Sequence, residues 1–390
     1  MGIYSINESA SAALKIAQAG ILVTSQNVAG TSIEGFSRRS ASTVMDALAP
    51  NSLMLNGSSF AVEGFTREYS SLIGAQLLNQ QAKSSYSETL VQYTSTIDSV
   101  IADKSAGLSS AITKFFNVLG NYAADPSNKA LAAAITGSAN VVSQRMTGIT
   151  TLVGQLKSDT ATGLNDTVRQ INTYLPALAD INQRILKGNS PGNTAPSADL
   201  LDERDRILTN LQKLVGGQSL INKDGTGTQL VAGLPLVERG ISNKVSVNGD
   251  GKSIAVEFNR ANPSGSQVMQ TIQTVDGGQA GALLKMANEF IPKMEQRLNT
   301  TALALVKIAN EAGQTSSTSP TTVAVFGFKV GSNTYSSVDT DSADPTGLIP
   351  TLANEADMAS LYNSVGQSNS ALVGAQLIAE NFVAIAPSDP

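Results

Sequence analysis

The sequence predicts a mainly α, multidomain (α+β) protein: an elongated helical bundle of long coiled-coil-like helices carrying a small inserted antiparallel β domain. Three observations predict it. First, Val142, Met146, Ile149, Val153, Leu156, Leu164, Val168, Ile171, Leu175, Leu178, Ile181 and Ile185 recur at steps of three and four across Val141–Lys187, which puts them on one stripe of a helix. Second, Leu284, Ala287, Ile291, Met294, Leu298, Thr301, Leu305, Ile308 and Ala312 alternate those steps without a fault, as a heptad seam does. Third, residues 219–278 lose this period and show short alternating runs broken by turn residues.

Composition narrows the chemistry. The chain has 390 residues with no His and no Cys, so imidazole acid–base chemistry, thiol chemistry and disulfides are excluded. The net charge of −5 comes with dispersed Lys and Arg, so no nucleic-acid footprint is expected. No apolar run approaches the ~20 residues of a membrane span. Residues 1–9 are not basic and 20–23 form too short an apolar core, so export without a cleaved signal peptide is the expectation.

In chain order, residues 4–28 read as a first helix, with Ser5 and Glu8 as a capping box. Its stripe of Ala10, Leu14, Ala17, Ile21, Thr24 and Val28 is thin, and such a helix is marginal alone. A partner helix, from this chain or a neighbouring subunit, is expected to cover it. Asn27 and Gly30 can stop the helix, and Gly35 supplies a turn. Residues 40–66 read as irregular. A second helix over about 67–104, a short one around Leu108–Leu119 and a break at Asp125-Pro126 lead to the long stripe, which would span roughly 70 Å at ~1.5 Å per residue. Thr160 stands where the stripe calls for an apolar residue, a stutter. Pro176 predicts a kink or a break into two helices.

Asp199, Asp202, Glu203 and Asp205 crowd into seven residues. Arg204 and Arg206 alternate with them, and no convergent ligand set accompanies them. A charged helix start with local ion pairs is expected there, not a metal site. In the β region, Val245-Ser246-Val247 and Ile254, Val256, Phe258 flank Asn248-Gly249-Asp250-Gly251, a hairpin signal. The helix over 281–313 contains Pro292, so a kink or a start near Phe290 is expected. Beyond it, Phe326–Val330 and Thr334-Tyr335 suggest a hairpin, and residues 352–385 a last amphipathic helix. Asp339, Asp341 and Asp344 lack the spacing and closing Glu of a calcium loop. No cofactor and no catalytic residue is expected.

Several motifs carry a resemblance. Gln26-Asn27-Val28-Ala29 and Gly35-Phe36-Ser37-Arg38 are similar to the signature of flagellar rod, hook and hook-associated axial proteins, with Gly30 and Glu34 standing where that signature usually has Asn and Pro. Arg67-Glu68-Tyr69, the Leu108–Phe116 segment, Asp125-Pro126-Ser127 and Leu200-Leu201-Asp202-Glu203-Arg204-Asp205 follow in order. Over residues 1–312 the chain resembles the flagellar hook-associated protein 1 family, which joins hook to filament. The resemblance implies a non-enzymatic, extracellular structural subunit of the bacterial flagellum. It implies a ring-like homo-oligomer, with hook protein, the next junction protein and an export chaperone as partners. The family's C-terminal assembly helix is not recognisable here. Divisions at 1–60, 61–218, 219–278 and 279–390 are expected. Ala10, Leu14, Ala17, Ile21 and Val28 are expected between subunits, and Leu284, Ile291, Leu298 and Leu305 within the bundle. The rival readings are another axial protein (hook, rod or filament subunit) and a carboxylate-dependent enzyme.

Overall fold

The computed structural model describes residues 3–33, 35–46, 59–101, 107–125, 127–189, 197–261, 267–312, 326–330, 333–338, 348–350 and 382–384. The chain is mainly α with antiparallel sheets set between the helices. Helix α1 (Ile3–Gly30) leads into a hairpin of β1 (Arg39–Asp46) and β2 (Ser59–Arg67). Helices α2 (Ser71–Ile101), α3 (Leu108–Ala124), α4 (Lys129–Gly188) and α5 (Ala198–Val215) follow. Three expectations are corrected here. Ser5 lies inside α1, so it cannot cap it. The stretch expected to be irregular holds the hairpin. The second helix begins at Ser71, after Arg67–Tyr69 has finished the hairpin.

The spine is longer than its stripe suggested. Asn128 accepts from Ala130 N at 3.0 Å and starts α4, which runs on from Lys129 through the stripe that begins near Val141. Pro176 does not break it. A mid-helix proline costs about 3 kcal/mol, and Leu175 and Leu178 on either side are both fully buried, which offsets it.

The chain divides into two units, Met1–Thr89 with Gly163–Leu284, and Leu90–Thr162 with Lys285–Pro390. Among the described residues, the second unit has an apolar cluster. Val142, Met146, Ile149, Val153 and Leu156 of α4 meet Ile97, Phe115, Ile291, Leu298, Ala302 and Leu305 in it, and Phe115 is fully buried. The helix after the β region is corrected in detail. It runs as α6 (Gly278–Lys285), a π turn (Met286–Phe290) and α7 (Ile291–Ala312). Ile291 N donates to Met286 O five residues back, and this wider turn admits Pro292, which needs no donor, at the start of α7. Ile308, expected in the seam, is exposed.

In the first unit, Leu164, Val168, Ile171, Leu175, Leu178, Ile181 and Ile185 of α4 are buried, as are Ile207, Leu208, Leu211, Leu214 and Val215 of α5. Strands β3 (Gln218–Ile221), β4 (Gly227–Val231), β5 (Leu234–Glu238) and β6 (Ile241–Ser242) form one meander; β7 (Lys244–Val247), β8 (Ile254–Ala261) and β9 (Gln267–Ile272) form another. The expected hairpin is present, with Val245 opposite Val256 and Val247 opposite Ile254. Its connection is wider than an Asn-Gly turn, because Gly251, at φ +66°, takes the left-handed position and donates to Asn248 O.

Two asparagines of α4 fasten the β strands. Asn182 accepts from Gly227 N and donates to Gly227 O, both at 2.8 Å, and also donates to Arg239 O. Asn172 makes the same two-way pair with Val245. Each side-chain amide stands in for a strand neighbour, satisfying backbone groups that would otherwise be buried and unpaired.

In the second unit, β10 (Phe326–Val330) and β11 (Asn333–Val338) form the expected hairpin, joined by β12 (Leu348–Pro350) and β13 (Phe382–Ala384). Residues 382–384 were expected in the last helix and are strand; the remainder of that helix, apart from 348–350 before it, and Asp339, Asp341 and Asp344 lie outside the described residues.

Candidate functional site

The motif residues converge in the first unit at the base of the β1–β2 hairpin. Ser197 caps α5, accepting from Leu200 N, and Asp199, Asp202 and Asp205 then follow at steps of three along its first turns. That position also suits negative charge, since free N–H groups point out of a helix start.

The partners of these aspartates come from far away in sequence. Asp202 Oδ2 accepts from Arg39 Nη2 at 2.8 Å, and Asp199 Oδ1 from the same nitrogen at 2.6 Å. Asp205 Oδ2 accepts from Arg67 Nη2 at 2.6 Å, while its Oδ1 accepts from Arg204 Nε and Nη2. Arg67 Nε lies 2.8 Å from Asp202 Oδ1 without an aligned hydrogen bond. Three arginines thus face three aspartates. The side chains of Arg39, Arg67 and Arg204 are 8%, 7% and 3% exposed and those of Asp202 and Asp205 13% and 14%, so these pairs are largely buried, while Asp199, at 80%, meets Arg39 from the surface. Burial opposes the charge on Arg39, but hydrogen bonds from Asp202 and Asp199 and their charges prevail and hold its pKa above the ordinary arginine value. Burial, followed by the charge of Asp205, pushes the Tyr69 hydroxyl upward.

The local sequence shapes this joint. Asn27, expected as a helix stop, instead clamps Arg39: its amide donates to Arg39 O and accepts from Arg39 N, both at 2.9 Å. The ring of Phe36 lies 5.0 Å beneath the Arg39 guanidinium, and that of Tyr69 lies 5.2 Å from the Arg67 guanidinium. A Cβ on Gly30 would collide with the Phe36 ring. Gly35, at φ +87°, lies against the backbone and Cβ of Arg206. Arg204 Nη1 also donates to Gly225 O, tying the cluster to the β3–β4 turn.

Of the residues the sequence singled out, the fold therefore brings Asn27, Gly35, Phe36, Asp202, Arg204 and Asp205 together, with Leu200 and Leu201 half-buried beside them. The side chain of Arg38 stands apart from this cluster, exposed and 3.7 Å from Glu68. Arg39, one position on, holds the buried place, and Arg67 was missed as its counterpart. Local ion pairing holds for Glu203 with Arg206 and for Arg204 with Asp205; Asp199, Asp202 and Asp205 also serve the hairpin. A signal existed, since Arg67 sits in an unusual Arg-Glu-Tyr segment, but nothing in the sequence joined it to residues 138 positions later.

The residues proposed for subunit contact sit elsewhere. Ala10, Leu14, Ala17, Ile21 and Val28 are all exposed, Ile21 at 72% and Val28 at 68%. Val23 is the one buried apolar side chain of α1 among the described residues. Leu284 is buried in the first unit, whereas Ile291, Leu298 and Leu305 are buried in the cluster of the second.

The family described as the flagellar hook-associated protein FlgK helical domain matches residues 94–319, more than half of the chain. The chain belongs to this family. Flagellar hook-associated protein 1 of Salmonella typhimurium is 28% identical to it over 305 residues, covering 76% of this chain and 54% of the relative. The Escherichia coli K12 protein of that name is 25% identical over 314 residues, covering 78% and 56%. The Bacillus subtilis one is 24% identical over 236 residues, covering 56% and 46%. The chain thus spans about half the length of the curated relatives it matches. The flagellar hook junction protein FlgK from Burkholderia pseudomallei shares the fold, with a TM-score of 0.56 at 22% identity over 65% of this chain and 47% of that one. Within the FlgK-matched stretch lie Asp199, Asp202, Arg204 and Asp205, while the hairpin arginines precede it.

Proposed function

We propose that this chain is a structural, non-enzymatic subunit of the bacterial flagellum at the junction between hook and filament, assembled outside the cell. Membership of the FlgK family supports the flagellar part. The observation that carries the assembly part is the exposed apolar stripe of α1. Leu14, Ile21 and Val28 repeat at seven residues and stand in water in the isolated chain. Large exposed side chains at one helical spacing are what a neighbouring helix covers. On this reading the chain is monomeric in isolation and forms a ring-like homo-oligomer on assembly. Hook protein and the next junction protein are its neighbours, and an export chaperone is its partner before that. Ala10, Leu14, Ala17, Ile21 and Val28 make the contact between subunits.

The test is complementation of a strain lacking the corresponding gene. The unaltered gene should restore swimming. The double substitution Leu14→Asp, Ile21→Asp should leave the secreted monomer folded but abolish filament retention, with filament subunits shed into the medium. Normal swimming by that variant would sink the assembly role of α1. Normal flagella in the deletion strain would sink the junction role altogether.

A further inference from the structure

We propose that the cluster of Arg39 and Arg67 with Asp199, Asp202 and Asp205 is a latch: it holds α1 and the β1–β2 hairpin to α5 as one arm that opens and re-docks while the body of the first unit stays folded. This inference rests on geometry within that unit and stands apart from the junction reading.

Two observations make α1 and the hairpin base move together. The Asn27 amide pairs both ways with the Arg39 backbone, and α1 lies along both hairpin strands. A third concerns what fastens this arm. Between Thr31 and Leu77 no described apolar side chain is buried; Phe65 and Tyr69 at the hairpin base are 42% and 36% exposed. In that stretch the described buried residue is Arg39. The contact with α5 is made by charge-assisted hydrogen bonds, including Ser37 N to Asp202 Oδ1, while Arg67 Nη2 to Ser37 Oγ ties residues of the arm to each other.

The physics of such a joint differs from that of a core. Apolar packing is non-directional and leaves a sticky surface when it opens. Buried ion pairs fix one geometry, and their net stabilisation is small because desolvation offsets attraction. When they separate, water takes over every donor and acceptor. The joint is also under-satisfied as it stands: Arg39 Nε and Arg67 Nε have no hydrogen-bond partner among the described residues. An arm held this way should open at a lower free energy than the elements it docks on.

Hydrogen exchange on the full chain tests this. In the unmodified protein, the amides of 39–43 and 64–67 should exchange as one unit, at least tenfold faster than those of Ile207–Val215 in α5. Asp202→Asn should speed exchange of the hairpin amides a further tenfold or more and leave α4 and α5 within twofold. Asp202→Glu, which keeps the charge, should recover part of the loss. If the hairpin amides are as slow as those of α5, or if Asp202→Asn speeds α4 and α5 equally, the cluster belongs to the common core and the latch is refuted. An Asp202→Asn hairpin that exchanges as in the parent refutes it too.

Discussion

The α4 seam in the second unit and the hairpin joint in the first hold structure together by opposite means. The seam buries Val142, Met146, Ile149, Val153 and Leu156 against Phe115 and the α7 side chains, with no charged residue in the cluster. The joint buries Arg39, Arg67 and Arg204 against aspartates and has no buried apolar side chain on its hairpin side among the described residues. The seam tolerates sliding of similar side chains but not their loss. The joint tolerates opening but not a change of geometry.

The comparison can be broken hardest on the apolar side. Phe115→Ala removes a fully buried ring and should destabilise the second unit by about 3–5 kcal/mol, seen as a lower urea midpoint with the slope retained. A smaller effect is expected at a polar contact that is buried like the seam. Asn182→Ala would leave Gly227 N–H and two carbonyls unpaired in the interior and should cost about 1–3 kcal/mol; accelerated exchange at Gly227 would locate the loss. If Asn182→Ala proved harmless, buried amide clamps would belong with the soft joint and not with the core.

The smallest effect concerns the polar turn at Asp224, which is half-buried. The Asp224 carboxyl is held below its ordinary value of 3.8, first by the Thr226 hydroxyl at 2.6 Å and also by Thr226 N–H. A depressed folded-state pKa means that its contribution is fully present above the unfolded value and is lost as pH falls through the folded one. Acid titration followed by NMR should therefore move the Thr226 amide with a midpoint below 3.8, and Asp224→Asn should abolish that step. A Thr226 titration centred above that value would show that the hydroxyl does not hold the carboxylate.

Legibility in the sequence followed the range of the interaction. Steps of three and four are local, so the buried faces of α4 and α7 could be read directly, and the stutter at Thr160 falls two residues before the point where α4 passes from one unit to the other. Thr160 itself is buried and returns its hydroxyl to Leu156 O at 2.7 Å, which is how a polar residue keeps its place in an apolar stripe. At Pro176 the break allowed for does not occur, whereas Pro292 does mark a start, with α7 opening at Ile291 next to Phe290. Burial on both sides overrode the first, and a π turn accommodated the second. For α1 the stripe of Leu14, Ile21 and Val28, expected between subunits, is exposed, and Ala12, Ile16, Ala19 and Val23 on the other side are less so.

The sequence by itself determined the helical spine, the β insertion, the absence of thiol and imidazole chemistry and the motifs of the family. These depend on spacing along the chain and on residue type. Only the tertiary structure decided that Asp199, Asp202 and Asp205 answer to Arg39 and Arg67, and that Asn27, Asn172 and Asn182 pair with distant backbone. Ion pairs and amide clamps have no period, and a charge carries no mark of which distant charge it will meet until the chain has folded.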